Sequence, residues 1–160
     1  MPNHSHRSNK GFSLIELLVV VAVILVIAAI AIPNFLRSKL RANEASSVQS
    51  LRNISTAELI YATTYSIQFS TNLLQLSGSG INPDQNNAGL IDAVLASGIK
   101  SGYIFTYTPI LTDPQGDTTT YSLTADPQSA TSGQLHFYTD QSCMIRSNPS
   151  VQAGPSDPPF

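Results

Sequence analysis

From Leu17 to Ile32 sixteen consecutive residues carry no polar side chain, and between Phe12 and Leu36 only Ser13, Glu16, Pro33 and Asn34 interrupt the apolar run. About 20 mostly apolar residues suffice to span a bilayer as a helix, so the run reads as a membrane-spanning stem. One carboxylate, Glu16, lies inside it. A charge at the bilayer centre costs roughly 2.5–3.5 kcal/mol on insertion scales, so an acid in such a segment calls for a partner and is a functional candidate by default.

Two ways of processing this N-terminus predict opposite fates for the helix. In a secretory signal, a basic stretch precedes an apolar region of about 7–15 residues and a small-x-small cut site, and the apolar part is discarded. Ala29-Ile30-Ala31 imitates such a site, but the apolar core from Leu14 to Ile32 is longer than that, and Pro33 sits two residues beyond the cut. A cut between Gly11 and Phe12 would keep the helix instead. Gly11 has no side chain, so its backbone can approach a protease closely. Once freed, the α-amine of Phe12 has a reference pKa of about 7.7–8.0 and is largely positive near neutrality. Glu16 follows four residues later, the spacing that sets two groups on one helix face. Amine and carboxylate can then neutralise each other in apolar surroundings, where either charge alone is costly.

Farther along, Ala22, Ala28, Ala29 and Ala31 are small enough to let neighbouring helices approach. Pro33 has no amide hydrogen for the Ala29 carbonyl, so it either kinks the helix or marks its end at the membrane surface. Arg7 and Lys10 flank one side of the stem and Arg37, Lys39 and Arg41 the other, which leaves orientation open on charge alone.

The residues Gly11-Phe12-Ser13-Leu14-Ile15-Glu16-Leu17-Leu18, followed by Ile27-Ala28-Ala29-Ile30-Ala31-Ile32-Pro33, resemble the N-terminus of type IV pilins and of type II secretion pseudopilins. The resemblance covers Gly11 to about Tyr65, and the remainder only as a general pattern. It implies three parts: a leader, 1–11, removed by a prepilin peptidase; a stem, 12–36, that spans the membrane and later forms a filament core; and 37–160, the amphipathic half of the helix plus an extracytoplasmic domain. It implies methylation of the Phe12 amine and storage in the bacterial inner membrane as a single-pass protein. An inner-membrane assembly platform would then stack identical subunits into a helical filament, as a pilus on the cell surface or a periplasmic pseudopilus. Glu16 would attract the Phe12 amine of a neighbouring subunit and set the register, and Pro33 would be a weak point that bends the stem. A pilus subunit, a secretion pseudopilin and a secreted binding domain with a discarded signal all remain open.

Past Pro33 the pattern turns amphipathic. Leu40, Val48, Leu51, Ile54, Ala57, Tyr61 and Tyr65 recur at helical spacings, which predicts one helix from about Ser13 to about Thr64 with Glu44 and Glu58 at the edge of its packed face. Residues 67–102 read as a linking region holding a short helix over Ala88–Ser97, capped by Gly98. Tyr103–Thr108, Thr119–Thr124 and Leu135–Tyr138 read as strands, with Cys143–Arg146 as a fourth. The predicted class is therefore α+β, a long N-terminal helix packed on a small antiparallel sheet of three or four strands. The tail 148–160, with four prolines, is expected to be mobile.

Charged residues make up 11% of the chain against roughly 25% for a typical soluble domain, which suits a subunit whose flanks meet copies of itself. Without the leader, six basic residues face ten acidic ones, so nucleic-acid binding has no support. The single cysteine, Cys143, excludes an internal disulfide, sets the chain apart from pilins that close a C-terminal disulfide loop, and is expected to be a small buried hydrophobe. Catalysis finds no footing: His4 and His6 belong to the leader, and His136 stands in a strand without a matching cluster. Asp113 and Asp117, with Asp126 or Asp140, are the candidates for a calcium site, although acidic turn residues are the simpler reading. No other cofactor is expected.

Overall fold

The computed structural model describes residues 12–66, 68–78, 82–114 and 117–160, with backbone alone for 111 and 112. The leader 1–11, including Gly11, lies outside the described residues. The chain divides into two compact units, one ending at Arg37 and the other running from Ser38 to Phe160.

Helix α1 spans Leu14–Tyr65, one residue from both predicted ends, and passes through Pro33. Its portion in the first unit is bare. Phe12, Leu14, Ile15 and the other large apolar side chains to Leu36 are exposed, and none of the most apolar 18-residue window is buried.

In the second unit the same helix buries a stripe: Val48, Leu51, Ile54, Ala57, Glu58 and Tyr61 recur every three or four residues. They pack on Tyr103, Phe105, Tyr121, Leu123, Ala125 and Phe137 from an antiparallel sheet. Its strands, β1 (Ile99–Lys100), β2 (Tyr103–Thr112), β3 (Thr118–Pro127), β4 (His136–Asp140) and β5 (Arg146–Asn148), lie in sequential order. Every second residue of β3 from Tyr121 to Ala125 is buried, as a sheet with one face against a helix requires.

Five strands form where three or four were predicted, and β1 is the addition. Lys100 pairs with Tyr103 across the two residues Ser101 and Gly102, whose φ values are 51° and 76°. Positive φ at both positions is the type I′ geometry that matches the twist of flanking strands. Gly133 is required for a different reason: a Cβ there would lie 2.1 Å from the Tyr103 hydroxyl.

The linking region contains two one-turn helices, α2 (Leu73–Leu76) and α3 (Ala93–Ala96). The helix expected over Ala88–Ser97 shrinks to four residues. Asp92 caps α3 by accepting the Leu95 N–H at 2.9 Å, and the N–H groups of Ala88 to Ile91 bond to the carbonyls of Gln75, Leu76 and Ser77. Gly98, at φ 78°, follows as expected.

Two expectations near the C-terminus change. Cys143 is exposed rather than buried: it sits at φ 59° in a turn where its N–H reaches the Asp140 carbonyl at 2.9 Å, and β5 begins only at Arg146. The Pro-rich tail is hydrogen-bonded into the domain. Arg146 Nη1 donates to the Asp157 carbonyl at 2.7 Å, the Asp157 carboxylate accepts from Asn148 Nδ2 and Gly154 N–H, and Ala153 is buried. Proline stiffens such a segment by narrowing the unfolded chain's alternatives.

Candidate assembly site at the start of the long helix

The first helical bonds of α1 run from the N–H groups of Glu16 and Leu17 to the Ser13 carbonyl, at 3.1 and 3.2 Å. Ser13 is therefore the capping residue, and Phe12 lies just ahead of it. Glu16 falls in the first turn, where unpaired N–H groups give the helix end a partial positive charge that favours an anion. Both Phe12 and Glu16 are exposed, and Glu16 has no ion-pair partner among the described residues.

Phe12 and Glu16 thus share one end of the helix, about one turn apart. In the uncut chain the Phe12 nitrogen is a peptide amide and carries no charge; a cut after Gly11 converts it to an amine at that same end. Gly11 itself lies outside the described residues. Pro33 is farther along α1, where its ring leaves the Ala29 carbonyl without its usual donor. Alongside, the small Ala22 opens a shallow notch walled by Val23, Val26 and Ile27, room for a neighbouring backbone to approach.

The second glutamate of interest was placed at an edge by its sequence spacing, and the structure buries it completely. Glu58 has no solvent exposure. Oε2 accepts the Ser70 N–H at 2.9 Å, and Oε1 accepts the Ser70 hydroxyl. The Ser70 carbonyl in turn accepts the Tyr107 O–H at 2.7 Å. Burial pushes the Glu58 carboxyl above its ordinary 4.5, against the pull of the Ser70 and Tyr107 hydrogen bonds. Burial, followed by the nearby Glu58 charge, raises the Tyr107 hydroxyl as well. The neighbouring Phe69 N–H bonds to the Thr118 carbonyl at 2.8 Å, and its ring meets Tyr121 edge-on at 5.0 Å. Glu58 therefore pins the chain, just after it leaves α1, against β2 and β3. Asn, Ser and Thr neighbours gave no sign of this in the sequence; only the position of Glu58 beside Ala57 and Tyr61 on the packed stripe could have shown it.

Three of the four aspartates considered for calcium accept hydrogen bonds from within the chain. Asp113 accepts the Asp117 N–H at 2.9 Å within the β2–β3 turn. Asp126 binds His136 Nδ1 at 2.6 Å through one oxygen and Gln152 Nε2 at 2.7 Å through the other. Asp140 accepts the Ser142 N–H in the turn after β4. Among the described residues no three His, Cys, Asp or Glu side chains gather as a metal would need.

Comparison with known proteins bears on this end of the helix first. Residues 6–32 match the family model described as the prokaryotic N-terminal methylation motif. The chain is 46% identical over 50 residues to the type IV major pilin protein PilA of Myxococcus xanthus, covering 31% of this chain and 23% of that one. It is 55% identical over 38 residues to the type IV wide pilus major component PilA4 of Thermus thermophilus, covering 24% and 29%. The chain thus spans under a third of the length of these two relatives. A fimbrial protein of Pseudomonas aeruginosa is 34% identical over 113 residues, covering 60% of this chain and 73% of that protein.

Proposed function

This chain belongs to the type IV pilin family, and on that premise we propose that it is the structural subunit of a pilus, cut after Gly11, methylated on Phe12 and assembled through its N-terminal helix. The observation that carries this reading is the bare stem: an apolar helix face with no cover among the described residues, entered through an exposed glutamate one turn from the future amine. Lipid covers such a surface before assembly, and the stems of other copies cover it afterwards.

On this reading Glu16 of one subunit receives the Phe12 amine of another. Pairing neutralises two charges that would otherwise stand alone in a low-dielectric core, so only one register is tolerated. Pro33 gives the stem a point of bending. The chain's partners are copies of itself, the prepilin peptidase, an inner-membrane assembly platform and the bilayer. On this reading the subunit is structural, with no enzymatic role and no cofactor. A secretion pseudopilin is the second reading: the single Cys143 sets the chain apart from pilins with a C-terminal disulfide loop, and it fits disulfide-free pilins and major pseudopilins alike.

Mass spectrometry of the N-terminal peptide from membranes and from sheared filaments tests the proposal. A chain beginning at N-methylated Phe12 in both fractions is expected. A mature chain beginning near Ile32 would overturn it in favour of a discarded signal.

A further inference from the structure

The sheet of the second unit has two edges, and each carries a proline whose ring nitrogen faces outward. At the first edge β1 covers only the start of β2, pairing Ile99 with Ile104 and Lys100 with Tyr103. Phe105 donates its N–H to the Gly98 carbonyl at 2.7 Å, away from β3. Backbone groups alternate sides along an antiparallel strand, so residues 107 and 109 turn the same way. Pro109 sits opposite Tyr121, and the register slips just after it. Beyond Phe105 this edge offers the N–H and C=O of Tyr107, then a carbonyl with no N–H.

The other edge repeats the device. Ser147 N–H donates to the Pro158 carbonyl at 3.2 Å and Phe160 N–H to the Ile145 carbonyl at 2.9 Å, so 158–160 lies against β5. Pro159, opposite Arg146 and between those two bonded pairs, turns its backbone outward, again without an N–H.

We propose that Pro109 and Pro159 are edge guards that keep the sheet of one subunit from pairing with the sheet of a second copy. Unpaired strand edges template pairing with other chains, and proteins blunt them with charge, proline, bulges or cover. Strand β2 has none of the charge: Tyr103 to Thr112 contains no Asp, Glu, Lys or Arg, and Ile104 and Ile110 are exposed. A β-rich, uncharged stretch of this kind is an association hazard unless a proline interrupts it. Blocking matters most where copies stand side by side, so the functional weight of the guards rests on the filament reading above.

The test uses the mature full-length chain in detergent micelles, in a Glu16→Ala background that removes stem pairing. Pro109→Thr and Pro159→Thr each restore one outward N–H; a net hydrogen bond of the usual size then strengthens self-association about fivefold per bond formed. Sedimentation equilibrium reads the change, and the infrared band of intermolecular antiparallel sheet identifies its kind. Pro114→Thr, in the turn rather than at an edge, should leave both readings at the parent level. Guard variants as dispersed as the parent, with their tyrosine circular dichroism intact, would overturn the proposal, as would equal association by Pro114→Thr. Should Pro109→Thr lose its tyrosine signal, Pro159→Thr decides alone. Filament yield of Glu16→Ala with both prolines intact judges the filament reading separately.

Discussion

Glu16 and Glu58 sit on the same helix, and their surroundings are opposite. Glu58 is fully buried and finds its donors within the chain, from the backbone and hydroxyl of Ser70, with Tyr107 beside them. Glu16 is exposed in the first turn of a stem whose most apolar window has no buried residue among those described. The difference teaches where to look for a partner. A carboxylate satisfied inside its own fold holds that fold together, whereas one at the mouth of a bare apolar helix has to be answered by another molecule.

The largest effect should come from Glu16→Ala. We expect filament yield to fall more than tenfold while membrane insertion and the urea midpoint of the domain stay unchanged, since losing a pairing worth about 1.4 kcal/mol already costs a factor of 10 per subunit contact. Normal filaments from that variant would erase the contrast between the two glutamates. Glu58→Leu should do the reverse, lowering domain stability in urea by about 1–3 kcal/mol for each Ser70 group left unpaired, with maturation at Phe12 proceeding normally. Gly133→Ala should destabilise by about 1–3 kcal/mol, because a methyl there collides with the Tyr103 ring, and it should leave the stem untouched.

The smallest effect is a slope. Because burial holds the folded pKa of Glu58 above its ordinary 4.5, its contribution to stability is present below that pH and declines as the pH rises through the raised value. Glu58→Gln, which can still accept the Ser70 N–H, should flatten the difference in urea midpoint between pH 4.5 and pH 7 relative to the parent. An unchanged difference would show that other groups set it.

The stem was legible because one property, unbroken apolarity, is local and needs no knowledge of the rest of the chain. The amphipathic half of α1 was legible for a similar reason, since Val48, Leu51, Ile54 and Tyr61 keep helical spacing all the way to the end. Strands β2, β3 and β4 showed through their Tyr, Thr and Phe content. What escaped was set by contacts distant in sequence. Glu58 read as an acid at the edge of the packed face because its donors lie on Ser70, after the helix has ended. Asp92 cut α3 short because the preceding amides had been claimed by the carbonyls of Gln75, Leu76 and Ser77. The Ser101-Gly102 hairpin escaped as well, because two-residue β1 is too short to announce itself. Composition marked 148–160 as loose, yet Asp157 gathers Arg146, Asn148 and Gly154 around itself. For the candidate assembly site, spacing alone set Phe12 and Glu16 one helical turn apart, whereas their pairing between subunits came from the family resemblance.

Cys143 is the chain's single thiol, and it stands exposed on the turn between β4 and β5. A maleimide dye would therefore attach at one defined point on every subunit, far in sequence from Phe12 and Glu16. On the filament reading, labelled subunits could then be followed from membrane to fibre without adding a residue.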